Sequence, residues 1–294
     1  MRNFRQTGNK RDINTRSDVD GIFRSLVTFV AIDLQGRSVP VPPMQPGRLD
    51  SEMVERVATR KQLTANLMAK EAEVEALAAA GGLTWADVEE PWNRTTREKL
   101  AGDETELHMR RMFMPRNLNT NGSVFGGDLI EWMESSAVHC AKHFTRNSHI
   151  ATVSMQQILF LQPVFPGDLV ECITSVIYTS VYTVHVRAEV RIQRGLAGSS
   201  DRFAAGSSSG GGGGGSDSDS DGVISHSDGV ISHTGHFVVA NFDRAGRIHP
   251  LLTGLDTAQD DGVAGGDTAL AKYALAQARQ RFIKENRSAG FFAR

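Results

Sequence analysis

Apolar positions within residues 128–144 recur at helical spacing. Ile130, Met133, Ala137, Ala141 and Phe144 line one side, which predicts a helix with a buried stripe. Glu134 stands beside that stripe rather than opposite it, where a carboxylate invites a chemical reading. From residue 150 onward the period changes to two. Residues 151–161, 169–179 and 181–193 alternate or run apolar in short pieces, broken at Gln162-Pro163 and Pro166-Gly167-Asp168, and read as strands. Residues 236–243 read as the last strand, followed by a turn at Ala245-Gly246. One long helix followed by antiparallel strands predicts an α+β domain in which a curved sheet wraps the helix.

The flanking pattern differs. Residues 49–80 carry Met53, Val57, Leu63, Leu67, Val74 and Leu77 in a charged, alanine-rich background, which predicts one or two connecting helices. Trp85 and Trp92 are placed to pin that connector to a core, and residues 104–116 read as the first strand of the domain. Residues 22–43 read as a strand or hairpin with a turn at Gln35-Gly36 and a proline exit. The same order of strand, glycine turn and proline exit returns at 236–250, which reads as an internal repeat. Residues 195–235 combine a run of glycines, alternating Ser-Asp, and two copies of Ser-Asp-Gly-Val-Ile-Ser-His. That composition offers little apolar surface to offset ordering, and predicts a flexible insertion between the last two strands. Residues 251–266 read as a polar loop, and 269–284 as a helix with Leu270, Tyr273, Ala274, Ala278 and Phe282 near one side.

Composition narrows the function classes. The 294 residues hold a formal net charge of -2, which gives no electrostatic pull toward nucleic acid or an anionic membrane. No apolar run approaches the roughly 18 residues that cross a bilayer. With 2 cysteines, Cys140 in the helix and Cys172 in a strand, neither a disulfide framework nor a zinc cluster is implied, and a reducing compartment is expected. Residues 1–20 are rich in Arg and Asn, yet no amphipathic presequence helix can be drawn through them.

The stretch with chemical content is Asn119-Thr120-Asn121-Gly122-Ser123-Val124-Phe125-Gly126-Gly127, which runs directly into the helix. Two glycines at a helix N-terminus let another group approach backbone N–H groups that carry partial positive charge, the arrangement that polarises a carbonyl. Glu134 is then the candidate base or nucleophile. Two readings of Asn119 stand side by side, a turn residue suited to left-handed backbone and a residue that orients substrate or water. Phe125-Gly126-Gly127-Asp128 lacks the glycine spacing of a dinucleotide loop and the Lys-Ser/Thr of a phosphate loop. His139 and His143 are spaced i, i+4, but the segment lacks the glutamate of a zinc helix; Cys140 reads as packing.

Residues 119–134, the strand Thr152-Val153-Ser154, the Pro163-Val164 and Gly167-Asp168-Leu169-Val170 turn and the tyrosine-bearing strand at 178–189 resemble the acyl-CoA thioesterases of the hotdog fold. The tail Ala271-Lys272-Tyr273 to Arg281-Phe282 extends the likeness to the mitochondrial two-domain group. The resemblance implies a fatty acyl-CoA hydrolase that uses no metal or redox cofactor. It matches Asn119 to the asparagine that orients the thioester or water, and Glu134 to the helix acid, usually aspartate. Gly127 polarises the carbonyl. Phe125, Gly126, Thr152 and Ser154 border the substrate, and Arg146, with Lys142 and Arg187, is a candidate for the nucleotide end of CoA.

The resemblance also implies a domain plan and a partner. Residues 1–48 are the remnant strands of a first hotdog, 49–103 a helical connector, 104–253 one intact hotdog, and 254–294 a loop and helix. In this family the asparagine and the acid face each other across paired hotdogs, so a homo-oligomer and a mitochondrial address are expected, with a cytoplasmic one as the alternative. Two rival functions stand beside hydrolysis: a non-catalytic acyl-CoA-binding or regulatory protein, and an enoyl-CoA hydratase, which needs a histidine nearer the loop than His139.

Overall fold

The computed structural model describes Ala31 and residues 39–42, 51–193, 229–257 and 268–286. The chain divides into two units, Met1–Ala65 with Ile283–Arg294, and Asn66–Phe282. In the first, the Val39 N–H donates to the Ala31 carbonyl at 2.9 Å. The rest of the expected hairpin at 22–43 lies outside the described residues, as do residues 195–228 of the insertion expected over 195–235 and most of the loop after 257.

Helix α1, Ser51–Ala79, is a single helix rather than two. Its run of Ala, Glu, Lys, Leu and Met holds no glycine or proline. It stops where Gly81 adopts φ +68 and the Gly82 N–H reaches back to the Leu77 carbonyl at 3.0 Å. Two short helices follow, α2 (Trp85–Val88) and α3 (Pro91–Thr95). Strand β1 is Glu98–Leu100 and β2 is Leu107–Arg111, so the strand expected over 104–116 is only five residues long. Pro115 opens a 3₁₀ turn after it, and Asp103–Thr105 forms another before it.

Helix α4, Gly126–Thr145, is the centre of the second unit. Strands β3 (Ile150–Phe160), β4 (Leu169–Thr179), β5 (Thr183–Gln193) and β6 (Val230–Asn241) follow it. With β2 they form one antiparallel sheet in the order β2-β4-β5-β6-β3. Alternate residues of β5 (Val184, Val186, Ala188, Val190, Ile192) pack with Leu129, Met133, Ala137, Cys140, Ala141 and Phe144 of α4 in one core. Phe113 meets Trp132 edge to face at 5.7 Å within it. The antiparallel sheet around one long helix is the hotdog arrangement.

Two expectations need correction. The second Ser-Asp-Gly-Val-Ile-Ser-His does not stay outside the sheet: Val230 to Gly235 are strand residues alongside β5, His233 and Thr234 pair with β3 as well, and His233 is buried. Its β-branched Val230-Ile231 continues the two-residue period of the strand beyond. The polar loop after residue 251 contains strand β7, Thr253–Leu255, which pairs in parallel with β1. Asn93 fastens the pair, donating to the Leu255 carbonyl at 2.9 Å and accepting the Leu255 N–H at 2.8 Å.

Helix α5 spans Ala269–Glu285. Tyr273 meets Trp85 and Tyr178 edge to face at 5.3 and 5.0 Å, while Gln277 donates to the Val88 carbonyl at 2.6 Å. A second apolar cluster forms there, on Ile177, Tyr178, Tyr273, Ala274 and Ala276.

Candidate active site

The loop before α4 is built from its own hydrogen bonds. The Asn119 N–H donates to the Ser123 carbonyl at 2.8 Å, and the Gly122 N–H to the Asn119 carbonyl at 3.1 Å. Gly122 sits at φ +77, a conformation that suits glycine. The Asn119 side chain serves the same loop, accepting from the Asn121 and Ser123 N–H groups at 2.8 and 3.3 Å and donating to Ser123 Oγ at 2.8 Å. Its turn-forming role is therefore visible in the geometry, and one amide hydrogen remains for a ligand.

The loop is anchored on both sides. The Val124 N–H donates to the Val164 carbonyl at 2.8 Å and the Phe125 N–H to the Asn117 carbonyl at 2.7 Å, and Asn117 Nδ2 reaches Asp128 Oδ2 at 2.7 Å. The helix begins without a side-chain cap. Among the described residues, nothing accepts the N–H groups of Gly126 and Gly127. The positive end of a 20-residue helix is thus open at two glycines.

Aromatic rings lie over those glycines. A Cβ on Gly126 would stand 2.7 Å from Phe160 Cε1, and one on Gly127 would collide with the ring of Phe125. Phe125 and Phe160 are both more than half exposed, so they form an apolar rim rather than core. Phe160 also meets His233 edge to face at 4.8 Å. Sequence reasoning missed Phe160 and His233, the latter because it fell inside the expected insertion. The usable signal was Val230-Ile231, two β-branched residues in phase with the strand that follows.

Glu134 lies seven residues after Gly127, close to two turns, so both stand on one face of α4 about 10 Å apart along its axis. The carboxylate is half-buried, and among the described residues it has no hydrogen-bond or ion-pair partner. A carboxylate left unengaged beside an apolar stripe is available for a proton or a bond.

The other expected site residues separate. Residues paired across strands share a face, and Thr152 pairs with Val239, a core residue on the α4 side. A bulge at Val153 interrupts the alternation, so Ser154 pairs with Val238 and lies on the opposite face. Thr152 Oγ1 is buried without a hydrogen-bond partner among the described residues. Arg146 caps the far end of α4 at φ +51, about 30 Å along the axis from Gly126. Lys142 is exposed near that same end. Arg187 is on β5 and pairs with Glu189 at 2.9 Å. His139 bonds the Ser135 carbonyl at 2.8 Å, within its own helix.

Burial sets the titration of the remaining groups. It raises both Cys140 and Cys172 to about 12 and lowers His233 to about 4, so the thiols stay protonated and the imidazole neutral near pH 7. No described helix is long and apolar enough to cross a membrane.

The family described as the Thioesterase superfamily matches residues 121–198, which hold the loop from Asn121 onward, α4 and the first three long strands. Acyl-CoA thioester hydrolase YciA of Escherichia coli is 31% identical over 100 residues, 34% of this chain and 73% of that protein. The protein of the same name in Salmonella typhimurium is 30% identical over 89 residues, 30% of this chain and 66% of its own length. An uncharacterized acyl-CoA thioester hydrolase of Buchnera aphidicola is 33% identical over 89 residues, covering 65% of its length, so the chain spans just under two thirds of these last two. Among solved structures, the acyl-CoA hydrolase of Staphylococcus aureus in complex with butyryl coenzyme A superposes with a TM-score of 0.46 at 15% identity, over 66% of this chain and 94% of that one. The chain belongs to the thioesterase superfamily, as a hotdog-fold relative of the acyl-CoA thioester hydrolases.

Proposed function

We propose that the protein hydrolyses fatty acyl-CoA to a free fatty acid and CoA. The observation that carries this reading is the pair of open N–H groups at Gly126 and Gly127 on the same face of α4 as the unengaged carboxylate of Glu134. The thioester oxygen, seated against Gly126 and Gly127, gains negative charge as the carbonyl carbon is attacked. Preorganised donors of this kind contribute about 10²- to 10³-fold in rate. Glu134 either takes a proton from the attacking water or attacks directly, forming an acyl anhydride that water then opens. In both routes the carbon–sulfur bond breaks and the CoA thiolate leaves with a proton. Asn119, held by Ser123, presents its remaining amide hydrogen to the thioester or the water.

The 10 Å between Gly127 and Glu134 along one helix is too far for both to act on a single carbonyl, so the reading requires the acid of a second copy. Strand β3 supports that pairing. It is an edge of the sheet and exposes Val153, Met155, Leu159 and Phe160 along a ladder that stays open among the described residues. In the proposed assembly a second copy adds along this edge, and its α4 supplies the acid.

A hydratase is disfavoured by the position of its required base. His233 is near Gly126 only through Phe160, is 2% exposed, and is held neutral with its Nδ1 at 2.9 Å from Ser232 Oγ. A first hotdog reduced to residues 1–48 and a mitochondrial address follow from the two-domain resemblance alone; the relatives named above are bacterial and support neither.

The test is release of CoA thiol from short-, medium- and long-chain acyl-CoA by the full chain, with its mass in solution. Asn119→Ala and Glu134→Ala serve as comparisons. Turnover by a dimer or larger assembly, reduced about 10²- to 10⁴-fold in Glu134→Ala, is the expected result. Binding of acyl-CoA without turnover would move the protein to the regulatory reading.

A further inference from the structure

The ring of Phe160 lies against the start of α4: a Cβ on Gly126 would stand 2.7 Å from its Cε1 and 3.2 Å from its Cζ. With Phe125 over Gly127, it flanks the open N–H groups with apolar surface. A hydrogen bond made beside apolar surface is stronger than one made in water. The place of the ring therefore bears on how well Gly126 holds a developing oxyanion.

That place is set by the backbone of β3. Gln156 pairs with His236 and Leu159 with Thr234, so Gln157 and Ile158 together face the single residue Gly235. Phe160 is thereby brought opposite His233, whose imidazole it meets edge to face at 4.8 Å. Without the extra residue Phe160 would fall opposite Ser232, and its side chain would leave the α4 face. Gly235 gives the turned strand its room, since a Cβ there would lie 2.6 Å from Ile158 Cδ1.

The bulge depends on support from outside the strand. Gln157 sits at φ +47, a region that residues with a side chain rarely occupy and that persists where the surroundings over-determine it. The support comes from the side of the sheet away from α4. Gly235 and Phe237 face α4, so His236 between them faces away, and there Arg279 of α5 meets both His236 and Glu71 of α1. Gln157 Nε2 joins this buried group by donating to both oxygens of Glu71, at 3.0 and 2.9 Å.

We propose that Glu71 and Gln157 are positioning residues for the thioester site: their carboxylate and amide hold the bulge that lays Phe160 against Gly126. The effect on turnover rests on the hydrolase reading above; the coupling of Gln157 to Gly126 does not.

The experiment follows two signals in the full chain. One is kcat and KM for acyl-CoA; the other is the Gly126 amide peak in a spectrum of protein carrying nitrogen-labelled glycine, identified by its loss in Gly126→Ala. Gln157→Glu sets two carboxylates against each other. Gln157→Ala removes the hold without adding charge, and serves in its place if Gln157→Glu does not fold. The exchange of Glu71→Gln with Gln157→Glu restores an amide facing a carboxylate and the charge of the group.

Gln157→Glu is expected to lower kcat about tenfold or more with KM little changed, and to move the Gly126 peak in the direction that Phe160→Ala moves it. The exchange is expected to return the peak and to bring kcat within about twofold of the parent. Added to Phe160→Ala, Gln157→Glu is expected to lower kcat no further, because both act through one ring. The proposal is overturned if a folded Gln157 variant turns over like the parent, if the exchange fails to restore the signals, or if the two losses multiply in the double variant. Turnover that falls with an unmoved Gly126 peak overturns the positioning role alone. A parent without turnover, whose Gly126 peak still follows Gln157 and returns in the exchange, overturns the hydrolase reading alone.

Discussion

Gln157 donates from Nε2 to both carboxylate oxygens of Glu71, at 3.0 and 2.9 Å, across 86 positions of sequence. Gln157 is the extra residue of a bulge in β3 and sits at φ +47. The bulge changes the parity of the strand, so that Ile158 and Phe160 turn toward α4, and Phe160 meets Gly126. The same Glu71 carboxylate holds the Arg279 guanidinium, whose Nη1 lies 2.5 Å from His236 Nδ1. One acid on α1 thus ties α5 and the edge strand of the sheet together.

Removing that acid leaves Arg279 buried beside a neutral imidazole. Glu71→Ala is expected to lower stability by about 3–5 kcal/mol, the cost of orphaning a buried charge. Gln157→Gly removes one hydrogen-bonding partner but suits the backbone, and is expected to cost about 1 kcal/mol. Urea denaturation of both variants checks the contrast; equal losses would contradict it.

Two glycines respond differently to an added methyl. A Cβ on Gly235 would lie 2.6 Å from Ile158 Cδ1 and 3.1 Å from both Met133 Cε and Phe237 Cε2, all within the packed interior. Gly235→Ala is expected to cost about 1–3 kcal/mol by overpacking. At Gly126 the obstacle is the ring of half-exposed Phe160, which swings away. Gly126→Ala is expected to leave stability within about 0.5 kcal/mol while slowing turnover, seen by comparing melting with CoA release.

His233 makes stability depend on pH. Its folded value is lowered by burial to about 4, against 6.5 for an exposed histidine. The unfolded chain therefore takes up a proton first as pH falls. The contribution is complete above 6.5 and is lost progressively down to about 4, a total of about 3 kcal/mol. His236, held neutral chiefly by burial and then by Arg279, acts in the same direction. His233→Gln is expected to narrow the gap between denaturation midpoints at pH 7 and pH 5; an unchanged gap would remove His233 from this account.

A charge on the edge strand tests the pairing of copies. Leu159 is half-exposed on β3, and Leu159→Lys places a cation where a second strand would lie. The expected outcome is a chain of lower mass in solution with turnover lost and helix content retained. A monomer that still releases CoA would contradict the shared site.

The long elements were legible because their periods are long. The stripe from Ile130 to Phe144 marks α4, and the alternation in β4 and β5 marks strands. What escaped were features set by distant partners. Strands β1 and β7 have three residues each, too few for a period, and owe their pairing to Asn93. The bulges at Val153 and Gln157 carry no glycine to announce them, so Thr152 and Ser154, expected together, fall on opposite faces. The placement of Asn119 in the loop and of Gly127 and Glu134 on α4 could be read from spacing. Phe160 could not, because its approach to Gly126 depends on the bulge three residues before it.

Cys140 and Cys172, both fully buried with thiols raised to about 12, have a practical consequence. Thiolate is the form that attacks a disulfide dye, and these two expose almost none of it. The folded protein is therefore close to invisible to the reagents that detect coenzyme A sulfhydryl. A colour change in its presence counts product, while a slow rise in a substrate-free blank counts molecules that have unfolded.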